Sequence, residues 1–286
     1  MIRDYIDSAK PGILAGNLVS TAGGFFLASR GRIDTEALWA TLAGVCLAVA
    51  SACVFNNCID RKLDGKMKRT RNRALARGAL SVRAACLYAT LLAIPGAALL
   101  GAAVNLLAAA IVSAGFIIYV GIYSLHLKRT SIYATLVGSL AGAAPPLAGY
   151  CAVTNRFDSA AALLLVIFIV WQLPHYYSIA IFRLDDYAAA QIPILPVRRG
   201  TAVAKRHIVV HILAFTAAAL MLTVCGYTGY GYFAVTAASG LAWLFFAWSG
   251  RTAPDERLWA KRLYVCSLLA MLVLSFMMSV DYRPIL

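Results

Sequence analysis

Nine apolar segments dominate the sequence, near residues 11–29, 38–58, 80–100, 103–125, 133–153, 158–182, 208–226, 229–249 and 260–280. A helix needs about 20 apolar residues to cross the hydrocarbon layer of a bilayer. Inside that layer no water can satisfy a backbone amide, so a lone apolar segment must close its hydrogen bonds on itself as a helix. A membrane β-barrel would show short alternating segments, and the sequence has none. Composition agrees: 62% of residues are hydrophobic and 13% charged, against roughly half and a quarter in soluble domains. So much apolar surface also excludes a disordered chain. The expected fold class is an all-α integral membrane protein with nine transmembrane helices, forming one domain over residues 1–286. Met1 to Lys10 is polar and has no cleavable signal pattern. The seven cysteines contain no Cys-x-x-Cys pair and read as small packing residues rather than a disulfide framework.

The net charge is +14, and its distribution predicts an orientation. With the N-terminus in the cytoplasm, every Lys and Arg except Arg30, Arg32, Arg156 and Arg283 falls on the cytoplasmic side. The positive-inside rule then gives a cytoplasmic N-terminus and an external C-terminus. Removing one helix would invert every later connection and destroy this asymmetry. Most of the basicity is what topology and attraction to the lipid bilayer require. No nucleic-acid partner is expected, and the absence of a P-loop argues against nucleotide hydrolysis.

The connection after the second segment is different. Nine basic residues from Arg61 to Arg83 surround a polar cluster that topology does not need. Asn56, Asp60 and Asp64 lie four apart, and Asn57 lies three before Asp60. At about 100° per residue, these side chains share one face of a helix end. Carboxylates at membrane depth are costly and usually face a cavity or an ion. Oxygen donors with room for water suit Mg²⁺, which takes one or two carboxylates together with substrate phosphates. Beyond them, Arg69, Arg73 and Arg77 form a stripe if that stretch is helical, and guanidinium forks match phosphate oxygens. A diphosphate held as its Mg²⁺ complex fits this set. The plainer alternative is a capped helix end whose acids neutralise its arginines.

The pattern Asn56-Asn57-x-x-Asp60-x-x-x-Asp64 followed by an Arg-rich tract resembles the first signature of the UbiA-type intramembrane prenyltransferases. Further stretches resemble the branch of that family that farnesylates protohaem IX. They are Lys10-Pro11-Gly12, Tyr123 to Arg129, Gly138 to Pro146, Trp171-Gln172-Leu173-Pro174-His175 and Ile192 to Val197. The likeness runs from Lys10 to the ninth segment. The wider family often carries Asp where this chain has Asn57.

The resemblance implies that farnesyl diphosphate donates its chain to a vinyl group of haem B. Addition of water then gives haem O for terminal oxidase assembly, at the bacterial cytoplasmic (inner) membrane. Asn56, Asn57, Asp60 and Asp64 would bind Mg²⁺–diphosphate, and Lys10, Arg69, Arg73, Lys128 and Arg129 would contact the diphosphate. A second Asp motif follows the sixth helix in the family. It is incomplete here, with Asp185 and Asp186 adjacent. Gln172, His175 or Tyr176, Ile179, Arg183 and Asp186 recur at helical spacing, which favours Asp186 over Asp185 as the metal-side carboxylate. The alternative is a solvated loop pairing its acids with arginines.

His175 follows Pro174, which can kink a helix into a cavity. It is the candidate for haem positioning, imidazole being a common iron ligand; the alternative is a histidine satisfied by a neighbouring carbonyl. Tyr119, Tyr123 and Tyr133 either line the substrate chamber or form an interfacial belt. His207 and His211 lie four apart without an evident third ligand. Two rival functions stand beside the main one: prenylation of an aromatic acceptor for quinone synthesis, and a transporter or haem-handling channel. Partners implied downstream are haem-copper oxidase assembly or a later haem-modifying enzyme.

Overall fold

The computed structural model describes residues 2–283. The C-terminus, expected on the external side, lies outside the described residues. Among those residues nine helices are long and apolar enough to cross a membrane. They are α1 (Pro11–Ser29), α2 (Thr35–Asp64), α3 (Val82–Ala103), α4 (Leu106–Thr130), α5 (Ala134–Thr154), α6 (Ser159–Phe182), α7 (Thr201–Val224), α8 (Tyr230–Ser249) and α9 (Glu256–Val280). Short helices Ile2–Ser8, Leu184–Ala189 and Leu195–Arg199 lie at the basic end. No strand occurs among the described residues; a single β-bridge joins Thr228 to Tyr282.

Short polar side chains start the helices. Asp34, Ser81, Asn105, Asp158 and Asp255 each accept a bond from a first-turn amide of the helix that follows, satisfying donors that otherwise have no partner. Charged ends hide helix length from an apolarity reading. α2, expected over 38–58, therefore runs on to Asp64. α7, expected from 208, begins at Thr201 after Gly200, whose φ is 82°. Lys205, Arg206 and His207 consequently ride on its first turns.

The helices pack as linked circuits. α1 lies on α5, α5 on α6, α6 on α9, and α9 returns to α1. α2, α3 and α4 close a second circuit between α1 and α5, and α7 and α8 a third between α6 and α9. The α1–α5 crossing is close because both helices present glycine. A Cβ on Gly24 would stand 2.1 Å from the Pro146 carbonyl oxygen, and one on Gly149 2.0 Å from that of Thr21. Small residues allow this kind of backbone contact in membranes. Phe168, Leu164 and Ile167 of α6 fill the centre, while Phe245 and Phe276 point outward.

α4 changes pitch before its end. Ile118–Leu127 is π-helical, a geometry with i→i+5 bonds that is rare and concentrated at functional sites. It turns Tyr119, Tyr123, Ser124 and Lys128 toward the end of α2.

Candidate active site

The last two turns of α2 carry the polar face expected from the spacing. Asn56, Asn57, Asp60 and Asp64 are all buried, between 0% and 3% exposed. Asn56 Nδ2 donates to Asp60 Oδ2 at 2.8 Å and to Ser124 Oγ at 3.0 Å. Asn57 Nδ2 donates to the Ser8 carbonyl at 2.9 Å, tying α2 to the N-terminal helix. A buried carboxylate without a counter-charge would be strongly destabilising, and neither aspartate is left so. Asp60 receives Lys128 on one oxygen and Arg129, at 3.2 Å, on the other. Arg73 donates to both oxygens of Asp64, at 3.0 and 2.9 Å, and to Asn57 Oδ1 at 3.2 Å.

Lys10 completes the ring of cations. Its backbone is left-handed, with φ 57° and ψ 70°, just before Pro11 opens α1. Such a conformation is uncommon outside glycine and is kept where surrounding structure demands it. Here it sends the side chain back to Asn56 Oδ1, with Nζ at 2.6 Å. Burial, with Arg73 and Lys128 nearby, pushes the Lys10 ammonium down to about 8.

The arginine tract corrects one expectation. Residues 65–80 form successive turns rather than a helix, so the stripe of Arg69, Arg73 and Arg77 does not exist. Arg73 turns inward to Asp64, Arg77 pairs with Asp4, and Arg69 is exposed. Gly78, at φ 76°, helps to close the loop without helical continuation.

The stripe expected on α6 also divides. The helix ends at Phe182, and Arg183 has non-helical φ −114° and ψ 25°, so Asp186 does not continue the face of His175. Gln172 turns to α5, donating to the Ser139 carbonyl at 3.0 Å. Arg183 is exposed, its guanidinium over the Phe182 ring at 4.9 Å. Asp186 and Asp185 have different surroundings. Asp186 is buried and accepts from the Lys68 amide at 2.7 Å, docking its segment onto the α2–α3 loop. Asp185 is exposed and pairs with Arg257 at 2.7 Å.

Aromatic rings line the space beyond the acids. Tyr119 stacks on Tyr123 at 5.6 Å, and Lys128 Nζ lies 5.9 Å from the Tyr123 ring centre. Tyr119, Tyr123 and Tyr176 stand within electrostatic reach of one another, and the first two within reach of Asp60. All three keep part of their surface open. Tyr133 instead points outward. His175 is half-buried, stacked on Trp171 at 4.9 Å, with Nδ1 2.8 Å from Ser267 Oγ. Its partner is thus a hydroxyl on α9, not a carbonyl. His207 and His211 stack with each other at 5.8 Å, and His211 Nδ1 meets the His207 carbonyl.

Ser124 and Ser267 were not legible as site residues. Each is one hydroxyl on an apolar helix, and only the pitch of α4 and the α6–α9 contact bring them in. At the end of α2, four cations (Lys10, Arg73, Lys128 and Arg129) face two carboxylates. The surplus positive charge suits a polyanion. Among the described residues no three His, Cys, Asp or Glu side chains form a metal cage. The donors fit Mg²⁺ in another way: Asp60, Asp64 and the Asn56 amide oxygen supply a few hard ligands, leaving positions for water and phosphate oxygens.

The chain matches the UbiA prenyltransferase family over residues 17–277. Its relatives include proteins named protoheme IX farnesyltransferase. That of Pseudomonas savastanoi pv. phaseolicola is 56% identical, with 99% of this chain and 96% of that protein covered. That of Pectobacterium carotovorum subsp. carotovorum is 55% identical, with 98% and 95% covered. Solved structures share the fold at low identity. A UbiA homologue from Archaeoglobus fulgidus bound to GPP and Mg²⁺ is 16% identical, with TM-score 0.73, covering 96% of this chain and 99% of that one. A digeranylgeranylglyceryl phosphate synthase is 14% identical, with TM-score 0.77, covering 97% and 98%. With a family match over most of its length and relatives above half identity, the chain belongs to the UbiA prenyltransferase family.

Proposed function

We propose that this enzyme transfers the farnesyl group of farnesyl diphosphate to a vinyl group of haem B and, with addition of water, makes haem O. The observation that carries the reading is the buried Asn56–Asp60–Asp64 face with four cations directed onto it. The relatives named protoheme IX farnesyltransferase supply the acceptor.

The geometry accounts for the chemistry. Breaking the allylic C–O bond leaves negative charge on diphosphate. Lys10, Arg73, Lys128 and Arg129 stand where they stabilise that charge as it develops. Asp60, Asp64 and Asn56, with Asp186 assisting, would hold Mg²⁺, which would supply further charge neutralisation to the leaving group when bound. Exposed Arg69 and Arg183 serve as outer contacts that draw the anion in. Tyr119, Tyr123 and Tyr176 screen the farnesyl carbon from water. The vinyl carbon forms the new C–C bond as the C–O bond breaks. Water then adds to the resulting cation and releases a proton. His175 orients the haem.

The basic end faces the cytoplasm of a bacterial inner membrane, where both substrates are delivered. The product passes to haem-copper oxidase assembly or to a later haem-modifying enzyme. The test is incubation of purified protein with farnesyl diphosphate, Mg²⁺, haem B and a competing aromatic acceptor of the quinone-precursor class, followed by mass spectrometry. Haem gaining one farnesyl group and one water is expected. Unchanged haem beside a prenylated aromatic acceptor would overturn the reading.

A further inference from the structure

We propose that Ser267 of α9 holds His175 in the tautomer protonated at Nδ1, so that the bare Nε2 binds the iron of the haem acceptor as an axial ligand. This rests on haem being the acceptor, as proposed above.

The argument begins with one hydroxyl proton. Ser267 Oγ lies 2.5 Å from the Tyr264 carbonyl oxygen and 2.8 Å from His175 Nδ1. A carbonyl can only accept, so the single serine proton points to it. The serine oxygen is then an acceptor toward the ring, and Nδ1 must carry the imidazole proton. That leaves the lone pair on Nε2. Nε2 has no hydrogen-bond partner among the described residues, and the ring is only half-buried. Histidines that bind metals characteristically give their other N–H to a fixed acceptor, which sets tautomer and orientation.

The surroundings fix the ring as well as its proton. Trp171 stacks on it at 4.9 Å with 26° between planes, and Tyr264 lies 5.0 Å away. Trp171 Nε1 donates to the Ser267 backbone carbonyl at 2.9 Å. Ser267 thus grips both rings, one through its hydroxyl and one through its backbone, and is itself 1% exposed. So many constraints on a ring with one free lone pair suit ligation better than packing. The next residue, Tyr176, is exposed and lies within electrostatic reach of Tyr119 and Tyr123, which in turn reach Asp60.

The test uses full-length protein in detergent, loaded with ferrous haem B without farnesyl diphosphate. Resonance Raman spectroscopy reads the iron–imidazole stretching band. Wild type should show the band, and His175→Ala should lose it. Ser267→Ala should move the band to lower frequency and weaken haem binding roughly 10–100-fold, as loss of an outer partner does at metal sites. Ser267→Thr, which keeps the hydroxyl, should restore both. If the alanine variant does not fold, Ser267→Cys, a much weaker acceptor, takes its place with the same expected shift. A wild-type complex without the band, or a band that survives His175→Ala, would overturn the ligation. A band unmoved by loss of the hydroxyl would remove Ser267 from the scheme. Farnesyl transfer measured on the same preparation separates the two readings. Turnover of haem without the band leaves the function standing and rejects this inference; the band without turnover leaves ligation by His175 standing and rejects haem as the acceptor.

Discussion

Arg73 and Asp64 meet through both carboxylate oxygens, at 3.0 and 2.9 Å from one guanidinium nitrogen, and the same nitrogen reaches Asn57 at 3.2 Å. One cation from an irregular loop therefore holds two residues of the polar face on α2. A diphosphate entering the site must share or take over this donor, together with those on Asp60. The pairing gives each buried acid a counter-charge until the anion arrives.

Arg73→Ala should lower kcat by about 100-fold, the scale seen when one donor to a developing anion is removed. Arg73→Lys should recover only part of this, because one ammonium cannot span Asp64 and Asn57 as a guanidinium does. Rates at saturating farnesyl diphosphate and haem check both. A fully active alanine variant would assign Arg73 to folding alone.

Metal removal should silence the enzyme without unfolding it. The acids have their own counter-ions, so the fold does not need a cation: Asp60 has Lys128 and Arg129, and Asp64 has Arg73. After chelation, helix content should be unchanged and product formation lost. Mg²⁺ should restore turnover. Ca²⁺, which seeks six to eight oxygen ligands (about twice what these side chains offer), should restore little.

The sequence and the structure agree where one helix carries the information. The Asn56–Asp64 face follows from spacing alone, because a regular helix maps four residues to one side. The span count follows from apolar length and from the alternation of basic loops. What the sequence did not disclose depends on departures from regularity. The Arg69–Arg77 stripe assumed a helix where the chain makes turns. The His175–Asp186 face assumed that α6 continues through Arg183, where the backbone breaks. Ser124 enters the site because α4 becomes π-helical, and periodicity in sequence carries no mark of that. Ser267 meets His175 only through the packing of α9 on α6.

Glycine at the α1–α5 crossing should be hard to replace. Gly24→Ala puts a methyl group 2.1 Å from the Pro146 carbonyl oxygen, which is backbone and has no rotamer to change. A destabilisation of about 1–3 kcal/mol is expected from overpacking of this kind. Gly121→Ala, with nothing within 4 Å of the new carbon, is the control and should not lower thermal stability. Unfolding temperatures in one detergent compare the two. Equal temperatures would mean that the helices can part at no cost.

Orientation can be tested with the protein's own thiol. Cys225 is exposed in the connection after α7, close in sequence to the Thr228–Tyr282 bridge at the end remote from the arginine-rich loop. The charge asymmetry predicts that this end lies outside, since only Arg30, Arg32, Arg156 and Arg283 of the basic residues belong to it. In intact spheroplasts, a membrane-impermeant maleimide should label Cys225. A Lys68→Cys probe in a Cys225→Ser background sits at an exposed loop position, and should react only after the membrane is opened. The opposite pattern would put the diphosphate site on the external face, away from the cytoplasm where isoprenoid diphosphates would have to reach it.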